Sequence, residues 1–197
     1  EKIEFFKTVC DYSFGTSWDY NIRWPDEKKY QSWRSNVKQL TDDGADITCM
    51  VCLSVDCLSL EPIDIIRDLA SLGIKHVNFE RLTPNGNLLD NLNLVPDNLE
   101  LDAWLLKMWD QSVEHKTYEF IDNMFFDSLL TSFAYNTQSG CRCRQCEQKV
   151  LTLNANGSIG GCPNAAPDKT FGHITDDIQT MMSSPGRMCN ISEEATL

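Results

Sequence analysis

Residues 47–82 read ITCMVCLSVDCLSLEPIDIIRDLASLGIKHVNFERL. The opening run, 47–54, is nearly continuous apolar sequence, which is how a strand buried on both faces of a parallel sheet reads. Glu61-Pro62 then opens a helix, because proline suits the first turn, where its missing N–H costs nothing. Ile63, Ile66, Leu69 and Leu72 recur at helical spacing, and Gly73 stops the helix. Residues 74–82 return to a strand. Val77 and Phe79 point to one face of it; His76, Asn78 and Glu80 point to the other. In a barrel, the apolar pair would pack on helices and the polar trio would face the interior. A strand–helix–strand unit with so long a crossover requires parallel strands and a right-handed connection.

The same alternation extends outward. Residues 5–12 are apolar and aromatic enough for an earlier strand, followed by a loop holding Trp18, Tyr20, Trp24 and Pro25. Residues 26–40 read as a helix with Tyr30, Trp33, Val37 and Leu40 on one face, and Gly44 lies just past its end. After the third strand, Thr83-Pro84-Asn85-Gly86 is a turn. Asp97 precedes a helix running to Glu114, with Leu101, Trp104, Leu105, Met108 and Trp109 on its buried side. A second helical stretch covers residues 118–130. Ligands of parallel sheets bind at the carboxyl ends of the strands, here expected near residues 12–15, 54–56 and 80–85.

The chain has 197 residues, 17 Lys+Arg against 29 Asp+Glu, and a formal net charge of −12. So acidic a chain without a basic patch argues against nucleic acid as a partner. No stretch approaches the roughly 18–20 consecutive apolar residues of a membrane span, so no membrane partner is expected. The chain opens on Glu1, and the lack of a leader there says nothing about compartment.

Beyond residue 130 the composition turns polar and the cysteines cluster, which places a domain boundary near 131–140. Nine cysteines are present. Because the first 130 residues carry large apolar faces and need no staples, reduced, metal-binding cysteines are favoured over a disulfide framework. Residues 149–161 (KVLTLNANGSIGG) read as a β-hairpin, with Asn156-Gly157 supplying the positive φ of its turn. The returning strand would bring Cys162 back opposite about Lys149, close to Cys146. Thiolates so gathered suit Zn²⁺ or an iron–sulfur cluster. Arg142 and Arg144 either offset the thiolate charge or lie solvated at the surface. Cys10, Cys49, Cys52 and Cys57 read as core thiols.

The pattern C-x10-G-x4-C, from Cys146 through Gly157 to Cys162, resembles the opening motif of a SPASM domain. That domain is the auxiliary iron–sulfur domain at the C-terminus of many radical S-adenosylmethionine (SAM) enzymes. Cys162-Pro163 and Phe171-Gly172-His173-Ile174 are similar to the run that follows in that family. Residues 76–87 (HVNFERLTPNGN) resemble the late strands of its partial barrel. The resemblance implies an α/β fold: the C-terminal half of a partial (β/α)6 TIM-like barrel over residues 1–130, followed by a small Cys-rich β-hairpin domain over 131–197. It implies that Cys146 and Cys162 hold a [4Fe–4S] cluster, joined by Cys141 or Cys143, with Cys189 either a fourth ligand or a bystander.

The family's first-cluster motif, C-x3-C-x2-C, is absent, and so is its later cysteine run. The chain is therefore expected to be a C-terminal piece of a longer enzyme, inactive alone. By the same resemblance, Asp11 or Ser13 would reach the ribose of S-adenosylmethionine. Asn78 and Glu80 would face cofactor or substrate, or else fill the barrel. Arg81 would clamp a carboxylate or sit in a surface ion pair. No catalytic residue is assigned. The implied activity is hydrogen abstraction from a peptide or protein by a 5′-deoxyadenosyl radical. The implied reductant is a flavodoxin or ferredoxin, and the implied compartment the reducing cytoplasm. The competing reading, from another class, is a non-catalytic Cys₄ zinc-binding structural or interaction module.

Overall fold

Residues 2–24, 26–83, 86–136, 146–162 and 169–196 are described by a computed structural model. They fall into two units, Glu1–Leu130 and Thr131–Leu197. The first unit runs α1 (Lys2–Val9), β1 (Ser13–Trp18), α2 (Glu27–Asp42), β2 (Asp46–Leu53), α3 (Val55–Leu58) and α4 (Pro62–Ser71). It continues through β3 (His76–Arg81), α5 (Asn98–Glu114), β4 (Asp122–Asn123) and α6 (Met124–Tyr135), which crosses into the second unit. The four strands form one sheet in the order β1-β2-β3-β4, and every pairing is parallel.

The helices start where side chains can satisfy their first N–H groups. Asp26 accepts from the Lys28 N–H, and Asp97 from the Leu99 N–H. The end of α4 needs a glycine, because Gly73 sits at φ +81° and a Cβ there would lie 2.6 Å from Thr41 Oγ1. Trp33 and Val37 of α2, Ile66 and Leu69 of α4, and Leu101, Trp104 and Met108 of α5 share a core with Ile47, Cys49, Val51, Leu53, Val77 and Phe79 of the sheet. Two indole N–H groups are satisfied within this layer: Trp33 donates to Thr16 Oγ1 (2.9 Å) and Trp104 to the Leu60 carbonyl (3.0 Å).

Five expectations change. Residues 5–12 are not a strand: α1 occupies Lys2–Val9, and the strand begins only at Ser13. Phe5 and Phe6 mimic a β-rich run, but Glu4 near the helix start and Lys7 near its end suit the helix dipole. Asp11 and Tyr12, at φ +47° and +54°, then turn the chain into β1. Cys10 is consequently exposed rather than a core thiol. Strand β2 is buried on one face only: Ile47, Cys49, Val51 and Leu53 are buried, while Asp46, Thr48, Met50 and Cys52 are half-buried. The stretch 118–130 is not one helix, since the short β4 precedes α6. Along α5, Leu101, Trp104 and Met108 are buried, but Trp109 remains 38% exposed.

The second unit holds α7 (Cys146–Lys149), β5 (Thr152–Leu153), β6 (Ser158–Gly160), β7 (Thr170–His173), α8 (Ile178–Met182) and α9 (Pro185–Thr196). Its three strands form an antiparallel sheet in the order β5-β6-β7.

Candidate functional site: the polar sheet face and the cysteine hairpin

Strand periodicity puts every second residue of the first sheet on the face away from the core. The parallel register aligns these residues into rows across the strands. Ser17, Met50 and Asn78 form one row, and Gly15, Thr48, His76 and Asp122 another. The uppermost row holds Cys52 beside Glu80, and one further step of the same register brings in Asp19. This row lies at the carboxyl ends of the strands, where parallel sheets present their ligand sites.

Its chemistry is concentrated. Asp19 is only 6% exposed. Arg23 Nε donates to Asp19 Oδ2 at 2.7 Å, whereas Asp19 Oδ1 is buried with no hydrogen-bond partner among the described residues. Burial, with the Asp19 carboxylate beside it, pushes the Cys52 thiol up to about 12. Cys52 is therefore neutral at physiological pH. Asn78 Nδ2 donates to Glu80 Oε1 at 2.8 Å, so the amide orients the carboxylate one row above it. A buried acceptor without a donor is costly to leave unmade, and a ligand carrying N–H or O–H groups would satisfy it.

Asn78 and Glu80 thus sit together, as the strand parity predicts. Asp11 and Ser13 do not join them. Ser13 is the first residue of β1 and Asp11 precedes it, so both lie at the amino end. The six-residue strand moves its carboxyl end to Trp18, and Ser17 and Asp19 occupy the positions facing Asn78 and Glu80. The missed signal is the alternation Ser13, Gly15, Ser17, Asp19 against Phe14 and Trp18. Cys49 fits the core reading: it is buried, and burial pushes its thiol up to about 12. Cys52 does not, because it belongs to the polar face. Arg81 reaches Asn98 Oδ1 at 2.6 Å rather than a carboxylate.

The opposite end of the same face is closed by His76. Its Nδ1 lies 3.1 Å from Asp122 Oδ2, and its Nε2 lies 3.5 Å from Asp46 Oδ1. The two carboxylates meet different ring nitrogens. The imidazole thus bridges β2 and β4 and does not converge with them on a metal.

In the second unit the hairpin forms with Thr152 opposite Gly160 and Leu153 opposite Ile159. Extending that register sets Cys162 opposite position 150, one residue from the expected Lys149 and close after α7, which opens on Cys146. Gly157 takes φ +86°, and a Cβ there would lie 2.4 Å from His173 Nε2. That ring, which sequence reasoning left without a role, covers the turn. Its Nε2 lies 3.3 Å from the Asn156 carbonyl and its Nδ1 lies 2.9 Å from Thr175 Oγ1. The glycine of the C-x10-G-x4-C pattern is thus required twice, by its φ and by the imidazole above it. Cys162 is half-buried at the end of the returning strand. Cys141 and Cys143 lie outside the described residues, as does the side chain of Cys146. Among the described residues, no three His, Cys, Asp or Glu side chains converge on a metal position.

No family model matches the sequence, and no curated protein does. Among solved structures, the chain is similar to native anSMEcpe with bound AdoMet and Kp18Cys peptide. The TM-score is 0.66 at 14% sequence identity, over 92% of this chain and 53% of that one. The chain thus spans about half the length of that structure. The likeness is one of fold alone: a four-stranded parallel sheet with its helices, followed by a small antiparallel sheet. No helix among the described residues is long and apolar enough to cross a membrane.

Proposed function

We propose that this chain supplies late strands of a radical SAM enzyme that modifies a peptide or protein, with residues 1–130 the partial barrel and 131–197 a SPASM-like domain. The observation that carries the reading is the row Asp19, Cys52 and Glu80 at the carboxyl ends of the sheet. The fold likeness, which spans both units, adds support. On this reading the buried, unpartnered Asp19 Oδ1 accepts from the amino or hydroxyl groups of S-adenosylmethionine. Asn78 holds Glu80 toward cofactor or substrate, and the neutral Cys52 thiol keeps a second negative charge away from Asp19. Ser17 and Asp19 take the ribose-binding part that the sequence resemblance attached to Asp11 and Ser13.

The donor set that the sequence offers the second unit suits an iron–sulfur cluster: soft thiolates at Cys146 and Cys162, with Cys141 or Cys143 completing the set. Cys189 on α9 is the remaining candidate. When bound, such a cluster supplies one-electron transfer or an open iron for substrate. A flavodoxin or ferredoxin as reductant and a reducing cytoplasmic setting belong to the same proposal.

The test has two arms. Anaerobically purified protein should be brown and carry iron with acid-labile sulfide; a colourless protein with one zinc per chain would favour the Cys₄ structural module instead. Equilibrium dialysis should show S-adenosylmethionine binding that Asp19→Asn weakens. Equal binding by wild type and variant would remove Asp19 from the site.

A further inference from the structure

Helices α3 and α5 begin at the carboxyl end of the first sheet. Strand β2 ends at Leu53, and α3 starts two residues later at Val55. Leu53 pairs with Arg81, one register step beyond Cys52 and Glu80, and Arg81 donates to Asn98, the first residue of α5. The two helices therefore leave from the strand ends that carry the polar row. Between them lies a cavity of ≈ 460 Å³. Ligand pockets usually measure about 300–1,000 Å³. Val55, Leu58, Ala103 and Trp104 give the cavity an apolar lining. Trp104 is a fixed wall, because its indole N–H is held by the Leu60 carbonyl and its ring packs on Phe79 at 5.9 Å between centroids. Two charges stand on the rim, Glu100 and Lys107. Glu61 engages Lys107 at 2.6 Å. Glu100 has no hydrogen bond or ion pair among the described residues. The groove thus offers a rigid apolar pocket and one uncompensated carboxylate.

We propose that this groove anchors the peptide substrate: an apolar side chain fills it, and an adjacent Lys or Arg meets Glu100. The proposal rests on the reading of this chain as part of a peptide-modifying enzyme. Charge selects the occupant. A basic segment gains from Glu100, an acidic one is repelled, and a second copy of this chain would bring its own net charge of −12. The position of the groove adds a reason. A segment held there lies at the same end of the sheet as Asp19, Cys52 and Glu80. The apolar anchor supplies affinity, and the carboxylate beside it supplies discrimination.

The probe is a pool of synthetic peptides, each a Gly-Ser chain carrying one photo-reactive leucine analogue between randomised residues. The whole chain is irradiated with the pool, the cross-linked positions are mapped by mass spectrometry, and the flanking residues of the captured peptides are read. Cross-links should fall on Val55, Leu58 or Ala103, with Lys or Arg enriched beside the photo-reactive residue. An exposed ion pair is worth about 0.2–1 kcal/mol, so the enrichment should be about 1.5- to 5-fold. Glu100→Lys should invert it toward Asp and Glu and leave the cross-linked positions unchanged. Ala103→Trp, at an exposed position, should fill the groove and cut labelling there by about tenfold or more, the worth of burying one such side chain. If Ala103→Trp fails to fold, Glu100→Lys decides alone. Cross-links scattered over the surface, or a flank preference that Glu100→Lys does not move, overturn the proposal. So does a concentration-dependent dimer that Ala103→Trp dissolves, because the occupant is then a second copy. Groove labelling in a chain that binds no S-adenosylmethionine refutes the enzyme reading instead. Binding of S-adenosylmethionine without groove labelling refutes the groove alone.

Discussion

Replacing Gly157 by alanine tests the link between the hairpin turn and His173. Two costs add. A non-glycine residue in the left-handed region costs about 1–2 kcal/mol. The new Cβ would also meet His173 Nε2 at 2.4 Å and Cε1 at 3.0 Å, so the ring must move away. Moving it breaks its contacts with Asn156 and Thr175, which at this exposed site are worth about 1 kcal/mol together. The sum is about 2–3 kcal/mol, and at 1.4 kcal/mol per tenfold that is roughly a 30- to 150-fold loss of local protection. Amide hydrogen exchange reads this directly. The Ile174 N–H donates to the Gly157 carbonyl and the Asn154 N–H to the Ser158 carbonyl, both at 2.9 Å, so both report on the turn. Two further variants separate the costs. Gly157→Asn lowers the backbone cost and keeps the collision. Adding His173→Ala to Gly157→Ala removes the collision and keeps the backbone cost, so the double variant should be milder than the sum of the singles by about 1 kcal/mol. Unchanged protection in Gly157→Ala, or strict additivity in the double variant, would refute the reasoning.

Other outcomes follow from the first unit. The Tyr12 hydroxyl, and then Lys7, hold the Asp43 carboxyl below the usual aspartate range. The unfolded chain therefore binds that proton first on acidification. The contribution is complete above the ordinary value of about 3.9 and is lost as pH falls through the lower folded value. Asp43→Asn should flatten that acid limb of the stability–pH curve, which urea melts between pH 6 and 2.5 would show. Maleimide labelling of native protein at pH 8 should modify exposed Cys10 quickly. It should spare Cys49, Cys52 and Cys57, whose thiols burial pushes up to about 12. Asp19→Asn should speed labelling of Cys52 and leave Cys49 slow. Leu69→Ala, at a side chain with 0% exposure, should cost about 2–5 kcal/mol in chemical denaturation. A loss under 1 kcal/mol would mean that the α4 face is not packed as described.

The elements that the sequence makes legible are those with many residues of one period. Strands β2 and β3 and helices α2, α4 and α5 carry repeated apolar positions, and their ends carry Asp26, Pro62, Gly73 and Asp97. The hairpin is legible through Asn156-Gly157. Helix α1 is not, because Phe5, Phe6 and Val9 are exposed apolar residues with no core to set their period. Strand β4 has only two residues, too few for any alternation. The position of β1 also explains the site: with the strand at Ser13–Trp18 rather than 5–12, its carboxyl end lies at Trp18, and the residues just beyond that end are Asp19 and, four further on, Arg23. Asn78 and Glu80 were legible because β3 was placed correctly. His173 acts on Gly157, a partner 16 residues away that no local pattern announces.

Strand β1 begins the sheet order, so among the described residues its outer side pairs with nothing. Every second residue of this strand thus turns its peptide N–H and C=O outward, and the preceding α1 leaves Ile3, Phe5 and Val9 exposed. Such a margin accepts another strand readily. It sets the colloidal behaviour of the purified chain: self-association should grow with concentration, resist high salt, and yield to a proline placed within 14–17, where an incoming strand would need the peptide N–H.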